Sequence, residues 1–258
     1  MVTIRTEHQP PGKKHSSRPL QYPTRDGRPM GESDRHRNEM FAAIESLKMF
    51  FEGRKVYVSG NILLFYKPGN RRKHVSPDVM VVHDLGPEER DNYLLWNEKP
   101  PNFVIEVSSK STSKEDLKDK LKIYRDVIGV REYFLFDPRS EYLSPALQGH
   151  RLLDGRYVRI APVEGRLPSV EIGLHLEKRE QFLRFYNPKA REWIPTFQEA
   201  QLKAERRWAH ESGRRVEAEA LQRAAEARTQ TAQEARRAAE AEVERLKQEL
   251  ADLRHGNG

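Results

Sequence analysis

Cysteine is absent from the 258-residue sequence. This absence excludes disulfides, zinc sites built on thiolates and cysteine nucleophiles. Long hydrophobic runs are also absent. No segment approaches the roughly 18 apolar residues that a membrane-spanning helix needs, and the N-terminus has no signal-peptide core. A glycine-rich phosphate loop is missing too, because Gly60 and Gly69 stand in turn-like contexts. We therefore expect a soluble, cytoplasmic protein with no membrane partner.

Apolar residues are scarce, at 36%, whereas charged residues reach 33%. A chain of this composition can build one packed domain while its remainder stays in solvent. Residues 1–30 are proline-rich, with six basic and two acidic residues, which predicts a disordered or loosely packed basic arm. We expect the packed domain over residues 31–197. Residues 198–258 are rich in alanine and charged residues and contain no proline, which predicts a long helix.

The C-terminal helix has two interpretations. Val243, Leu246, Leu250 and Leu253 fit the a and d positions of two heptads, which favours a homodimeric coiled coil. Upstream, however, the same positions are mostly alanine with polar interruptions. A solvated single helix supported by ion pairs between residues four apart explains this pattern equally well.

Within the packed domain, the hydrophobic periodicity alternates between helix and strand. A strand, a helix and a second strand follow one another over residues 103–137, which predicts a right-handed parallel crossover. The other predicted elements are a helix from Ser33 to Gly53, a hairpin around Gly60–Asn61, a strand over 78–83, a hairpin at Asp154–Gly155 and strands over 170–176, 182–186 and 193–194. The fold class is therefore α/β, in the α+β sense of a mixed sheet with helices.

Two acidic residues stand in apolar, strand-like segments. Asp78 begins the run Asp-Val-Met-Val-Val, and Glu106 lies inside Phe-Val-Ile-Glu-Val. A buried carboxylate must be paired, protonated or bound to a cation. Two of them side by side at one sheet edge would form an oxygen-rich site for Mg²⁺ or Mn²⁺. Glu39, on the first helix, could approach this site from a third direction.

A metal-dependent hydrolase of this kind also needs a cationic side chain near the metal. The simplest position is two residues after Glu106, but Ser108 stands there. Lys110 is close in the following turn, and Lys120 lies on the helix behind the strand. On spacing alone, Lys120 is better explained as a solvent-facing residue paired with Asp116.

A basic cluster, Arg71, Arg72 and Lys73, stands on the loop that leads to Asp78. In a nuclease these side chains would contact DNA phosphates beside the cleavage site, as would Lys110. The alternative is a loop that only increases solubility.

Four segments together resemble one family of nucleases. They are the Ser-Pro-Asp-Val-Met-Val-Val segment at 76–82, the Pro-Asn-Phe-Val-Ile-Glu-Val-Ser-Ser-Lys-Ser-Thr segment at 101–112, the helix segment at 116–124 and the Gly-Val-Arg-Glu-Tyr-Phe-Leu-Phe-Asp-Pro segment at 129–138. In order and spacing they resemble the Uma-two family of restriction endonucleases, within the PD-(D/E)XK nuclease superfamily. The resemblance covers about residues 31–197.

The resemblance implies a restriction-endonuclease-like mixed sheet flanked by helices, with the carboxylates at one sheet edge. Asp78 and Glu106 would be the catalytic metal ligands. Lys120 would be the catalytic lysine moved from strand to helix, with Lys110 as the alternative, and Glu39 would be the helix glutamate. Tyr124 matches a helix tyrosine that packs rather than reacts.

Two functions follow from this resemblance. The first is Mg²⁺- or Mn²⁺-dependent endonucleolytic cleavage of DNA. The alternative is a catalytically inactive DNA-binding or assembly protein that self-associates through its C-terminal helix.

Overall fold

The structure, a computed structural model, describes residues 21–25, 33–108 and 116–255. Lys110, the predicted start of the second helix at residue 113, and most of the predicted basic arm lie outside these ranges. The chain separates into two compact units, Met1–Phe197 and Gln198–Gly258.

The described part of the first unit contains one α-helix, a crossover helix and thirteen strands. Helix α1 spans Asp34–Phe50, and the crossover helix covers residues 116–128. The strands are β1 (Val56–Ser59), β2 (Leu64–Phe65), β3 (His74–Val75), β4 (Val79–His83), β5 (Tyr93–Leu94), β6 (Phe103–Val107), β7 (Glu132–Phe136), β8 (Leu147–Leu153), β9 (Arg156–Arg159), β10 (Leu167–Pro168), β11 (His175–Arg179), β12 (Phe182–Asn187) and β13 (Glu192–Trp193).

The main sheet has six strands in the order β1-β4-β6-β7-β8-β9. Strands β6 and β7 are parallel, and every other neighbouring pair in this sheet is antiparallel. The parallel pair is joined by the crossover helix, as the strand–helix–strand pattern predicts. The predicted hairpin at Asp154–Gly155 is confirmed as the β8–β9 connection.

Helices cover both faces of this sheet. Helix α1 begins at Ser33, whose hydroxyl accepts a hydrogen bond from the backbone N–H of His36 at 3.3 Å. Its buried residues Met40 and Leu47 belong to a core with the odd-numbered residues of β4 and β6, such as Val81 and Ile105. A residue set of this kind is typical of an amphipathic helix on a sheet.

The crossover helix packs on the opposite face. Its buried residues Tyr124 and Ile128 belong to a second core with the even-numbered residues of β4 and β6, such as Met80 and Val104. The expected mixed sheet flanked by helices is thus confirmed.

The crossover helix has π-helical geometry in two stretches, Asp116–Lys120 and Ile123–Ile128. It ends at Gly129, which has a left-handed φ of 78° and donates its N–H to the carbonyl of Tyr124, five residues earlier. A π-helical turn is wider than an α-helical turn, and such turns are frequent at functional sites.

The hairpin predicted around Gly60–Asn61 is wrong. Strand β1 pairs with β4, and β2 pairs with β3 and in parallel with β5. The N–H of Asn61 donates to the carbonyl of Pro77 at 2.7 Å. A Cβ atom on Gly60 would lie 1.9 Å from the carbonyl oxygen of Asp78. Gly60 therefore allows a close approach to the strand that carries Asp78 and does not form a two-residue turn.

A four-stranded antiparallel sheet, β10-β11-β12-β13, completes the first unit. The strand predicted over 170–176 is wrong in position, because β11 begins only at His175. A turn precedes it, in which Gly173 has a φ of 70° and donates its N–H to the carbonyl of Ser169.

The long helix α2 spans Phe197–His255, and its residues from Gln198 onward belong to the second unit. This confirms the expected C-terminal helix. Among the residues described, no helix is both long enough and apolar enough to cross a membrane.

Candidate active site

Asp78 directly precedes β4, and Glu106 lies in β6, the antiparallel neighbour of β4. Val79 is opposite Ile105 and Met80 is opposite Val104, so extending this register by one residue brings Asp78 opposite Glu106. Glu106 is an even-numbered residue of β6, so its side chain lies on the face that the crossover helix covers. Directly opposed residues of an antiparallel pair are the closest cross-strand neighbours. The structure therefore brings the two predicted carboxylates together at one end of β4 and β6.

The carboxylate of Asp78 is buried and accepts hydrogen bonds at both oxygens. Its Oδ2 accepts the backbone N–H of Val107 at 2.7 Å. Its Oδ1 lies 3.3 Å from Nε2 of His36. Because the first contact comes from the residue after Glu106, the orientation of Asp78 is tied to the strand that carries the second carboxylate.

Glu106 is the more deeply buried of the pair, with 1% of the residue exposed. Its Oε1 accepts a hydrogen bond from the hydroxyl of Tyr124 at 2.6 Å, and its Oε2 accepts one from Nζ of Lys120 at 2.8 Å. On spacing alone, Lys120 is expected to face solvent. In the structure its side chain is only 16% exposed and contacts Glu106. The crossover helix delivers both donors, which stand four residues apart on one side of it.

Tyr124 does more than pack. Burial, together with the nearby charge of Glu106, raises the pKa of its hydroxyl well above the ordinary value. The hydroxyl therefore keeps its proton at any physiological pH and remains a donor to Glu106.

The hydrogen-bond partner of Glu39 is a backbone group on another strand. The Oε2 of Glu39 accepts the backbone N–H of Leu183, on β12, at 3.2 Å. Burial raises the pKa of this carboxyl, and the Leu183 hydrogen bond and the charge of Arg35 only partly oppose the shift. The α1 side chain at hydrogen-bond distance from Asp78 is His36, one helical turn earlier. Sequence reasoning missed it, although three-residue spacing places His36 on the same helix side as Glu39.

Ser108 stands where a strand lysine would be expected. Its backbone N–H extends the β6–β7 ladder by donating to Phe136 at 2.7 Å. Its buried hydroxyl has no hydrogen-bond partner in the structure's described part. This strand position therefore offers no lysine, and the lysine that contacts Glu106 in the described residues is Lys120 of the crossover helix.

The basic cluster Arg71, Arg72 and Lys73 is exposed on the turn between β2 and β3. The carbonyl of Arg71 accepts a hydrogen bond from the ring of His74 at 2.9 Å. Strand β3 ends only three residues before Asp78, so the cluster is close in sequence to the carboxylates.

The donor set suits a hard divalent cation. Within residues 21–25, 33–108 and 116–255, no group of three or more His, Asp or Glu side chains converges on one point. The pair of Asp78 and Glu106 therefore offers two carboxylates. This is the number that Mg²⁺ commonly takes from a protein, since it keeps several waters and binds substrate phosphate.

The chain is similar to proteins in two of three comparisons with known proteins. The model of the Uma2 family, described as "Putative restriction endonuclease", matches residues 26–177 and so includes both carboxylates and Lys120. A solved chain from Anabaena variabilis ATCC 29413, titled a "putative nuclease belonging to DUF820", is 14% identical, with a TM-score of 0.44. The similarity covers 58% of this chain and 82% of that one. A search of curated proteins found no match.

Proposed function

This chain belongs to the Uma2 family of restriction-endonuclease-like proteins, and from that premise we propose that it is a Mg²⁺-dependent DNA endonuclease. The family supports a nuclease, that is, a hydrolase of phosphodiester bonds. The metal, the substrate and the residue roles are our proposal. The observation that supports it most is that Asp78 accepts the backbone N–H of Val107, the residue after Glu106, while Lys120 lies 2.8 Å from Glu106.

In this proposal Asp78 and Glu106 hold the cation. A bound Mg²⁺ or Mn²⁺ supplies a water of lowered pKa and neutralises charge on the phosphodiester. The two carboxylates carry two negative charges and Lys120 carries one positive charge, so the site retains a net negative charge that attracts a cation. Tyr124 fixes the orientation of Glu106 by its hydrogen bond.

In this proposal Lys120 acts on the substrate phosphate. Its ammonium group, held beside Glu106, stabilises negative charge that develops on the phosphate in the transition state. Because Lys120 is partly exposed, its end group can contact a substrate without leaving the site.

Arg71, Arg72 and Lys73 would contact DNA phosphates on one side of the cleavage site, and Lys110, outside the described residues, would do so as well. The net charge of +7 supports a polyanionic substrate. Phosphate contacts of this kind position the duplex and make binding sensitive to salt.

Cleavage of supercoiled plasmid DNA in Mg²⁺ or Mn²⁺ tests the proposal. We expect Asp78→Asn and Glu106→Gln to reduce cleavage to background, and Lys120→Met to slow it about 100-fold. Two exposed residues of the same helix provide matched controls, Asp119→Asn and Lys122→Met, which should retain wild-type rates. Equal activity in the Asp78 variant and its control would refute the assignment.

One observation favours a non-catalytic alternative. Each oxygen of both carboxylates already has a protein neighbour at hydrogen-bond distance. A pair neutralised by Lys120 and other donors could serve only to stabilise a DNA-binding or assembly domain. A carboxylate oxygen has a second lone pair for a cation, however. Persistent inactivity in both metals, combined with intact DNA binding, would support this alternative.

We also propose that two copies pair through α2. Among the side chains described for this helix, seven large apolar ones are about half exposed or more: Phe197, Leu202, Trp208, Val216, Leu221, Val243 and Leu246. A helix of 59 residues that exposes such side chains gains stability by covering them. The heptad spacing from Val243 onward favours a second copy of the same helix as the partner, and two paired subunits could cut both strands of a duplex.

A further inference from the structure

We propose that His36 is a positioning residue that holds the carboxylate of Asp78 in the orientation needed for cation binding. This inference rests on the proposed function and assigns a role to a side chain outside the carboxylate pair. It depends on three observations: the fixed position of His36, the hydrogen bonds on both oxygens of Asp78, and the burial of both residues.

His36 is fixed by the start of helix α1. The hydroxyl of Ser33 caps the helix and accepts the backbone N–H of His36 at 3.3 Å. The helix is held against the sheet by Met40 and Leu47, which are almost fully buried. His36 itself is 5% exposed. Its ring therefore occupies a defined place beside the sheet.

The ring donates to Asp78. Nε2 of His36 lies 3.3 Å from Oδ1 of Asp78. A carboxylate only accepts hydrogen bonds, so Nε2 carries the proton in this contact. On its other oxygen, Asp78 accepts the backbone N–H of Val107 at 2.7 Å.

Two hydrogen bonds on opposite oxygens restrict rotation of the carboxylate. The terminal torsion of an Asp side chain is intrinsically broad and roughly two-fold. The Val107 hydrogen bond alone fixes one oxygen, and the second oxygen can still move about it. The His36 contact removes this freedom, so the carboxylate of Asp78 keeps one orientation. Outer partners of metal ligands act in this way, and their loss commonly weakens metal binding 10- to 100-fold.

Calorimetric titration of the full chain with Mn²⁺ tests the role. We expect His36→Ala to weaken Mn²⁺ binding about tenfold or more. In His36→Gln the amide nitrogen reaches about as far as Nε2, so binding should stay within about threefold of wild type. The amide of His36→Asn is too short for this contact, so this variant should behave like His36→Ala.

The control is Ser46→Ala, on the same helix, which removes a buried hydroxyl that donates to the carbonyl of Pro195 at 3.3 Å. It should change thermal stability without changing Mn²⁺ affinity. If His36→Ala fails to fold, the Mn²⁺ affinities of His36→Gln and His36→Asn are compared instead. A weaker affinity in His36→Asn then supports the role of His36.

Two results would overturn the inference alone: wild-type affinity in His36→Ala or His36→Asn, or an affinity in folded His36→Gln as weak as in His36→Asn. A wild-type protein that binds no Mn²⁺ would overturn the proposed function, and this inference with it.

Discussion

At the scale of single residues, the buried carboxylates differ in the groups that compensate their charge. Glu106 has an ammonium group and a hydroxyl as donors. Asp78 has a backbone N–H and an imidazole. Glu39 accepts a single hydrogen bond of 3.2 Å from a backbone N–H. Desolvation outweighs that bond, so the pKa of the Glu39 carboxyl is raised above its ordinary value.

The raised pKa of Glu39 predicts a pH dependence of stability. Between the ordinary value of 4.5 and the raised value, the folded state binds more protons than the unfolded state. The free energy of unfolding therefore falls as pH rises through this window. Glu39→Gln should remove this contribution, so that its stability relative to wild type increases from pH 4.5 to pH 8.

Urea denaturation at several pH values measures this difference. The control is Glu45→Gln, at a half-buried position on the same helix. Its stability relative to wild type should change less with pH than that of Glu39→Gln. A Glu39→Gln variant that loses stability relative to wild type as pH rises would contradict the assignment.

At the scale of elements, the long apolar strands can be predicted from the sequence, whereas the pairing of the two-residue strands cannot. Strands β4, β6 and β7 are near-continuous apolar runs, and the parallel crossover follows from their spacing. Strands β2, β3 and β5 are two-residue ladders. They depend on partners distant in sequence, which local patterns do not reveal.

The same contrast holds within the site. Asp78 and Glu106 were identifiable because an acid in an apolar run is unusual, whereas the role of Lys120 depended on family resemblance. His36 was missed because the charged segment Asp34–Arg37 gives no sign of burial. The bond to Asp78 joins residues 42 positions apart, so only the packing of α1 on the sheet reveals it.

Gly60 is the element-scale position with the clearest consequence. A Cβ atom there would lie 1.9 Å from the carbonyl oxygen of Asp78 and 2.7 Å from Cδ1 of Ile44. We expect Gly60→Ala to destabilise the domain by about 2 kcal/mol or more. It should also weaken Mn²⁺ binding, because the backbone of Asp78 must shift.

Thermal and urea denaturation, with Mn²⁺ titration, measure the two effects. Gly69→Ala is the comparison, because its Cβ would meet nothing within 4 Å while its φ is 75°. It should cost about 1 kcal/mol through backbone strain alone and leave Mn²⁺ affinity unchanged. Equal losses of stability in Gly60→Ala and Gly69→Ala, with wild-type Mn²⁺ affinity in both, would show that the close approach of Gly60 to Asp78 has no role at the site.

At the scale of the whole molecule, the chain consists of a compact domain and a long helix, and different interactions stabilise the two. Helix α2 is supported along its surface by ion pairs such as Arg236 with Glu240 at 2.8 Å and Arg245 with Glu242 at 2.8 Å. Each such exposed pair contributes only about 0.3–0.5 kcal/mol. The helix therefore gains more from covering its apolar side chains than from its surface charges.

Self-association through α2 predicts a position-specific effect of charge. Leu246→Lys places a charge in the heptad seam and should shift the chain from dimer to monomer. Gln248→Lys introduces the same charge at an exposed position outside the seam and should leave the dimer intact. Sedimentation velocity at several concentrations distinguishes the two states. A monomeric wild type, or equal behaviour of the two variants, would show that α2 is a solvated single helix.

The central claim is that Asp78 and Glu106 share one divalent cation. Anomalous diffraction from crystals of the full chain soaked in Mn²⁺ tests it most directly. The account predicts one anomalous peak in contact with both carboxylates, absent from crystals of Glu106→Gln. It would be contradicted by soaked crystals in which Lys120 still bridges to Glu106 and no peak lies between the two carboxylates.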